Sequence, residues 1–247
     1  MHTLYRTVLV MHVAGGALGL LSMTFPLVAR KGQRLHKVTG WAFTVGMSLS
    51  ALTGMVMAAT WAIAPAEFQP QSTPLAARLD GMFLFLIGCL TANALIQAVS
   101  AVRRKTESAP VAMLVRLSLG LLTLAAVCSI ALGLAFNETL PLVFGVGSLG
   151  LAAQDALFTF RPLRSPMAWW YQHMNAMGTA CISAVTAFLV LGARRWIGAD
   201  VLGDHAWLLW LAPSALFVPL FQGWIVAYRR RFETRAKPKR QTLAAQA

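Results

Sequence analysis

The chain has 247 residues, of which 57% are hydrophobic and 12% charged, and its mean hydropathy is +0.64. About a quarter of the residues of an ordinary soluble domain are charged, so this composition excludes a water-soluble fold and makes the bilayer the solvent. A formal net charge of +13 would point to nucleic acid in a soluble protein, but its placement along the chain assigns it to membrane topology and anionic lipid.

A hydrocarbon core of about 30 Å is crossed by roughly 20 helical residues, and seven apolar stretches reach that length: residues 4–28, 38–63, 79–102, 111–136, 140–160, 173–192 and 207–228. Helix is the default for each, because lipid offers backbone N–H and C=O groups no partner but one another, and barrel strands would alternate polar and apolar residues. The first stretch is too long for a signal-peptide core, and no small-residue cleavage pattern precedes the basic loop. The second carries Ala42, Gly46, Ser50, Gly54 and Ala58 at a strict spacing of four, a small-residue stripe that admits a neighbouring helix closely. The third follows the proline-rich "APAEFQPQSTPLAAR", the fourth contains Arg116, and the fifth follows "NETLP" and contains Asp155. The sixth opens on His173, and the seventh leads into the basic segment "RRRFETRAKPKR". Trp41, Trp61, Trp169, Trp170, Trp196 and Trp207 fall near the ends of these stretches, as in an aromatic belt. Cys89, Cys128 and Cys181 lie within them, where they read as small packing residues rather than a disulfide framework. The expected architecture is all-α: one polytopic helix-bundle domain over residues 1–228, with a disordered basic tail over 229–247.

Lys and Arg alternate sharply between successive connections. The termini and loops expected on one side hold sixteen and those on the other side four, with Arg116 left inside the fourth stretch. The positive-inside rule therefore places the N-terminus outside and the C-terminus in the cytoplasm, which requires an odd number of crossings. The predicted location is the cytoplasmic (inner) membrane of a bacterium, with the tail beside anionic lipid.

The histidines are His2, His12, His36, His173 and His205. At 100° per residue, Gly15, Gly16 and Gly19 lie within about 60° of His12 on one helix face. Gly40 lies beside His36, and Met177, Ala180 and Ala184 lie beside His173. A smooth face next to an imidazole suits a flat macrocycle, since axial haem ligation needs both the ring nitrogen and room for the porphyrin edge. His36 and His173 both open inward-starting stretches and share a depth. His12 sits about seven residues, on the order of 10 Å, from the other surface, too far to share a metal with His36. The candidate metal ligands are thus His36 and His173, with Gly40, Met177 and His12 as further cofactor-binding candidates. Arg116 and Asp155 match in depth and oppose in charge, and an intramembrane pair would satisfy both. Asn93, Gln97, Gln154 and Asn175 reach the same leaflet.

In combination, His12 with Gly16, His36 with Lys37 and Gly40, and Trp169, His173 and Met177 followed by Thr186 to Phe188 resemble a family of uncharacterised bacterial polytopic membrane proteins. The "WLAP" of Trp210 to Pro213 also fits. More distantly, the first two stretches are similar to haem-b proteins of the cytochrome b561 type. That resemblance implies haem b and electron transfer, although such cytochromes present two depth-matched histidine pairs and this chain offers one. The partners it implies are membrane lipid together with a quinone or a redox protein, and no nucleic acid. Two other classes fit the same residues: a small-molecule or proton-coupled transporter using Arg116 and Asp155, and an assembly factor with no chemistry of its own. Hydrolytic, zinc-protease and phosphate-loop motifs are absent from the sequence.

The charge pattern yields a topology test. With the three native cysteines replaced, a cysteine at Gln71 is expected to react with a membrane-impermeant maleimide in intact cells, and one at Gln241 only after lysis. The opposite labelling would invert the topology.

Overall fold

The computed structural model describes residues 2–104, 111–162, 165–193 and 207–233. His205, Arg194, Arg195 and residues 234–247 lie outside them. Among the described residues there are seven long helices and no strand: α1 (His2–Val28), α2 (Arg34–Ile63), α4 (Pro74–Arg103), α5 (Met113–Phe136), α6 (Thr139–Phe160), α7 (Ala168–Ala187) and α8 (Leu208–Glu233). A single-turn helix α3 (Pro65–Phe68) joins α2 to α4, and α7 continues into a π-helical segment, Phe188–Ala193. All seven long helices have the length and apolarity to cross a bilayer, so the chain is a multi-pass membrane helix bundle.

Most helices run longer than the apolar stretches, because polar residues at membrane edges extend a helix beyond the hydrocarbon. α4 begins at Pro74, five residues before its apolar core: the Thr73 hydroxyl accepts from the Ala76 N–H, and Pro74 occupies a first-turn position where no N–H is needed. α5 ends where Asn137 adopts the left-handed conformation (φ 55°), its N–H bonding to the Gly133 carbonyl. The segment expected as tail from residue 229 is helical as far as Glu233, because Arg229, Arg230 and Arg231 stand at a helix C-terminus, where cations complement the free carbonyls.

The helices pack about α4, the most buried span, which touches α2, α5, α6 and α7. α1 lies on α2, and α8 lies on α7. Phe43 and Met47 of α2 meet Ala94 and Leu95 of α4 and Ala180 and Ala184 of α7 in one apolar cluster. Leu86 and Cys89 meet Leu119, Leu122, Ala126 and Ala152 in a second, between α4, α5 and α6. The small-residue stripe of α2 serves two neighbours. A Cβ on Gly15 would come within 2.7 Å of the Gly46 carbonyl oxygen, and one on Gly46 would come equally close to that of Gly15. Ala58, further along the stripe, receives α4: a Cβ on Gly81 would lie 2.6 Å from its carbonyl oxygen. Backbone meets backbone at these points, so side-chain repacking cannot relieve a substitution.

Gly46→Val is therefore expected to lower the apparent Tm in detergent, on the scale of the roughly 1–3 kcal/mol that overpacking costs. Gly120→Val, where an added Cβ meets nothing within 4 Å, should not. Equal Tm values would show that the α1–α2 contact is not as close as described.

Candidate functional site

One end of the bundle carries the basic residues of the α1–α2 connection and the last turn of α8. A cavity of about 610 Å³ opens there, walled by α1, α2, α4, α7 and α8. His36, in the first turn of α2, and His173, in the second turn of α7, both line it, with ring centroids 6.5 Å apart and planes at 68°. The two helices do not need to pack along their length for this, since both flank α4.

Each imidazole is held by its Nδ1. That of His36 lies 3.1 Å from the carbonyl oxygen of Pro26, and that of His173 lies 2.9 Å from that of Ala98. A carbonyl oxygen only accepts, so Nδ1 carries the proton in both rings and donates it. In the neutral ring this arrangement puts the lone pair on Nε2, the form that binds a metal. Pro26 lies in the last turn of α1, where carbonyls lack helical partners; His36 and the Lys31 ammonium, 2.8 Å away, satisfy it. Ala98 stands inside α4, and its carbonyl has a second lone pair available to His173.

The cavity walls are apolar: Met23, Gly40, Phe43, Met177 and Cys181 face it. Only Pro26 Cβ, at 4.0 Å, would touch a Cβ added at Gly40, so that glycine leaves open space beside His36. Its mouth is cationic, with Lys31, Lys37 and Arg103. Partial burial lowers the Lys31 pKa below the ordinary lysine value. Among the described residues no group of three or more His, Cys, Asp or Glu side chains is placed to hold a metal ion.

The structure brings His36, His173, Gly40 and Met177 to this one cavity and leaves His12 out of it. The His12 Nδ1 lies 2.8 Å from the Ser50 carbonyl oxygen, with the Ser50 and Thr53 hydroxyls at 3.4 Å. The glycines beside it are occupied by α2, since Gly15 meets Gly46 and Gly19 meets Met47. The smooth face of α1 seats a helix, so His12, expected as a further cofactor-binding candidate, stands at a helix–helix contact apart from the cavity of His36 and His173.

The expected pair of Arg116 and Asp155 is also corrected. Asp155 is buried, and its two carboxylate oxygens accept from the side-chain amides of Asn93 at 2.7 Å and Gln172 at 2.6 Å. The Ser118 hydroxyl donates to the Asn93 Oδ1 at 3.1 Å, extending the network to α5. Arg116 is on the exposed face of α5, and among the described residues no ion pair joins it to Asp155. Matching depth did not imply matching helix face. The clamp ties α4, α6 and α7 together with neutral donors, and the transporter reading loses the counter-charge on which it rested. Gln172 was missed because the apolar stretch was begun at His173, one residue too late to include it. The i, i+4 spacing of Asn93 and Gln97 on one buried face of α4 was the available signal.

Comparison with protein-family models, with curated proteins and with solved structures finds no match to this chain.

Gln172→Ala should lower stability by about 1–3 kcal/mol by leaving a buried carboxylate oxygen unsatisfied, whereas Arg116→Ala should stay within about 0.5 kcal/mol of the parent. Equal losses in the two variants, measured by thermal unfolding in detergent, would restore the ion pair.

Proposed function

We propose that the chain is a haem-b-binding electron-transfer protein of the bacterial cytoplasmic membrane, with His36 and His173 as the two axial ligands. One observation carries this reading: two imidazoles on different helices share one cavity, and each presents a lone-pair Nε2 because a main-chain carbonyl holds its Nδ1 proton. Two imidazoles that held one metal ion between them through nitrogen, at about 2 Å each, would stand with ring centroids about 6 Å apart; the separation here is 6.5 Å. The ligand count agrees as well, because a macrocycle supplies four nitrogens and asks the protein for only two.

The remaining residues fit the group. A volume of about 610 Å³ lies within the range of cofactor pockets. Gly40 leaves room for a ring edge, Met23 and Met177 give adaptable apolar contact, and the Lys31, Lys37 and Arg103 cations suit the carboxylates of haem b. When bound, haem supplies one-electron redox chemistry. The chain's own contribution is to fix both imidazole tautomers, exclude water from the walls, and balance anionic charge at the mouth. This reading extends the resemblance to the b561-type proteins to a single centre near the cytoplasmic face, whose partner is a quinone or a redox protein.

Protein purified from haem-sufficient cells is expected to show a Soret band. His36→Ala and His173→Ala should each remove most of it, because six-coordinate iron depends on both nitrogens, while His12→Ala should retain it. Purified protein without a Soret band, and unable to gain one when haem is added, would overturn the assignment.

A further inference from the structure

A second cleft, of about 390 Å³, lies between α6, α7 and α8 over a floor of α4. Gly178 and Phe221 line both this cleft and the histidine cavity, so one layer of side chains separates them. The second cleft differs in chemistry. Its lining includes Ser148, Gln154, Asn175 and Gln222 and no charged residue. The Ser148 side chain is buried to 2% exposure, and its hydroxyl has no hydrogen-bond partner among the described residues. Gln154 is exposed on α6 with no partner among the described residues. The Gln222 amide donates to Asn175 Oδ1 at 2.8 Å, and among the described residues the Asn175 amide protons and the Gln222 oxygen have no partner. Unpaired amides and a hydroxyl inside hydrocarbon are each unfavourable by more than about 1 kcal/mol unless something completes them.

Depth and charge narrow what that something is. Asn175 stands five residues inward of Trp170 on α7, about 8 Å at 1.5 Å per residue. An anionic or zwitterionic lipid headgroup stays at the interface, and no cation in the lining compensates a phosphate. We infer that this cleft binds a neutral, lipid-soluble molecule whose carbonyl or hydroxyl head is met by Ser148, Gln154 and the Asn175–Gln222 pair, with its apolar tail along Leu151, Ile182 and Val218. An isoprenoid quinone and an uncharged glycerolipid share this head chemistry. The inference is independent of what occupies the histidine cavity.

Gly147 provides the test. It lines the cleft, and a Cβ built on it meets nothing within 4 Å, so Gly147→Leu starts a side chain from open space at the cleft and improves helix propensity. Gly150 is equally open but lies outside the lining, which makes Gly150→Leu the control. The full-length detergent-purified protein is titrated separately with a decyl-substituted benzoquinone, dioctanoylglycerol and dioctanoylphosphatidylglycerol, with retention read by native mass spectrometry. Saturable binding of the quinone or of the neutral glycerolipid is expected, and whichever is retained identifies the source. Gly147→Leu should abolish it. Ser148→Ala and Gln154→Leu should weaken it by about fivefold to tenfold, the effect of one lost hydrogen bond. Gly150→Leu should leave it unchanged, and because the readout is a retained neutral lipid rather than a Soret band, failure here is distinguishable from failure of the haem assignment. Retention of neither neutral molecule, equal retention of the phosphatidylglycerol, or a Gly147→Leu variant that binds as the parent does and melts no lower would overturn the proposal.

Discussion

A polar group inside the hydrocarbon layer has no water to turn to, and the hydrogen bonds made across α4 are how this bundle meets that constraint. Asn93 of α4 reaches Asp155 of α6 and Ser118 of α5, Gln172 of α7 reaches the same carboxylate, and the Ala98 carbonyl receives His173. In lipid, apolar contact alone does little to choose among helix arrangements, since lipid tails are as apolar as leucine. Directional bonds choose. α4 is thereby fixed against three neighbours, and the glycine contacts of α1, α2 and α4 set the remaining spacings.

The same constraint gives the histidines their chemistry. A backbone carbonyl opposite Nδ1 determines which nitrogen is protonated, and a water-poor wall keeps the other nitrogen from finding a casual donor. His36 and His173 differ in what anchors them. One closes an open helix end, where a carbonyl is already short of a partner; the other shares a carbonyl inside a helix. Both arrangements are rigid, because the acceptor belongs to the main chain rather than to a mobile side chain. His12 shows the same pattern away from the histidine cavity: its Nδ1 is equally well held, and the glycines beside it are occupied by α2.

The seven spans were legible in the sequence because bilayer thickness imposes a length that hydropathy reports directly. The depth match of His36 and His173 was legible for the same reason, since topology converts residue number into depth. Azimuth was not. Arg116 and Asp155 share a depth but not a helix face, and nothing in a single sequence says how far each helix is rotated about its axis. The glycines beside His12 are a similar case: they announce a close approach, and a helix and a macrocycle both make one. The polar cluster of Asn93, Gln97, Gln154 and Asn175 was visible as a group, while its division into a clamp around Asp155 and an open cleft near Gln154 follows from helix rotation alone.

That division bears on how α7 works. A helix buried in a bundle normally presents polar residues to one side, yet α7 carries Gln172, His173 and Asn175 within a single turn, directed to three places: the α6 carboxylate, the α4 carbonyl beside the histidine cavity, and the cleft shared with α8. Successive helical positions lie about 100° apart, so adjacent polar residues must serve different neighbours. The dense polar turn near the start of the sixth span is therefore the junction at which the clamp, the histidine cavity and the second cleft meet. Gly178, one turn further on, has Phe221 3.0 Å from where its Cβ would be, so α8 can lie close enough to α7 to wall both cavities with one ring. A larger residue at 178 would push that ring away from α7 and alter the shape of both cavities together, so the small side of α7 at this point is a requirement of both walls.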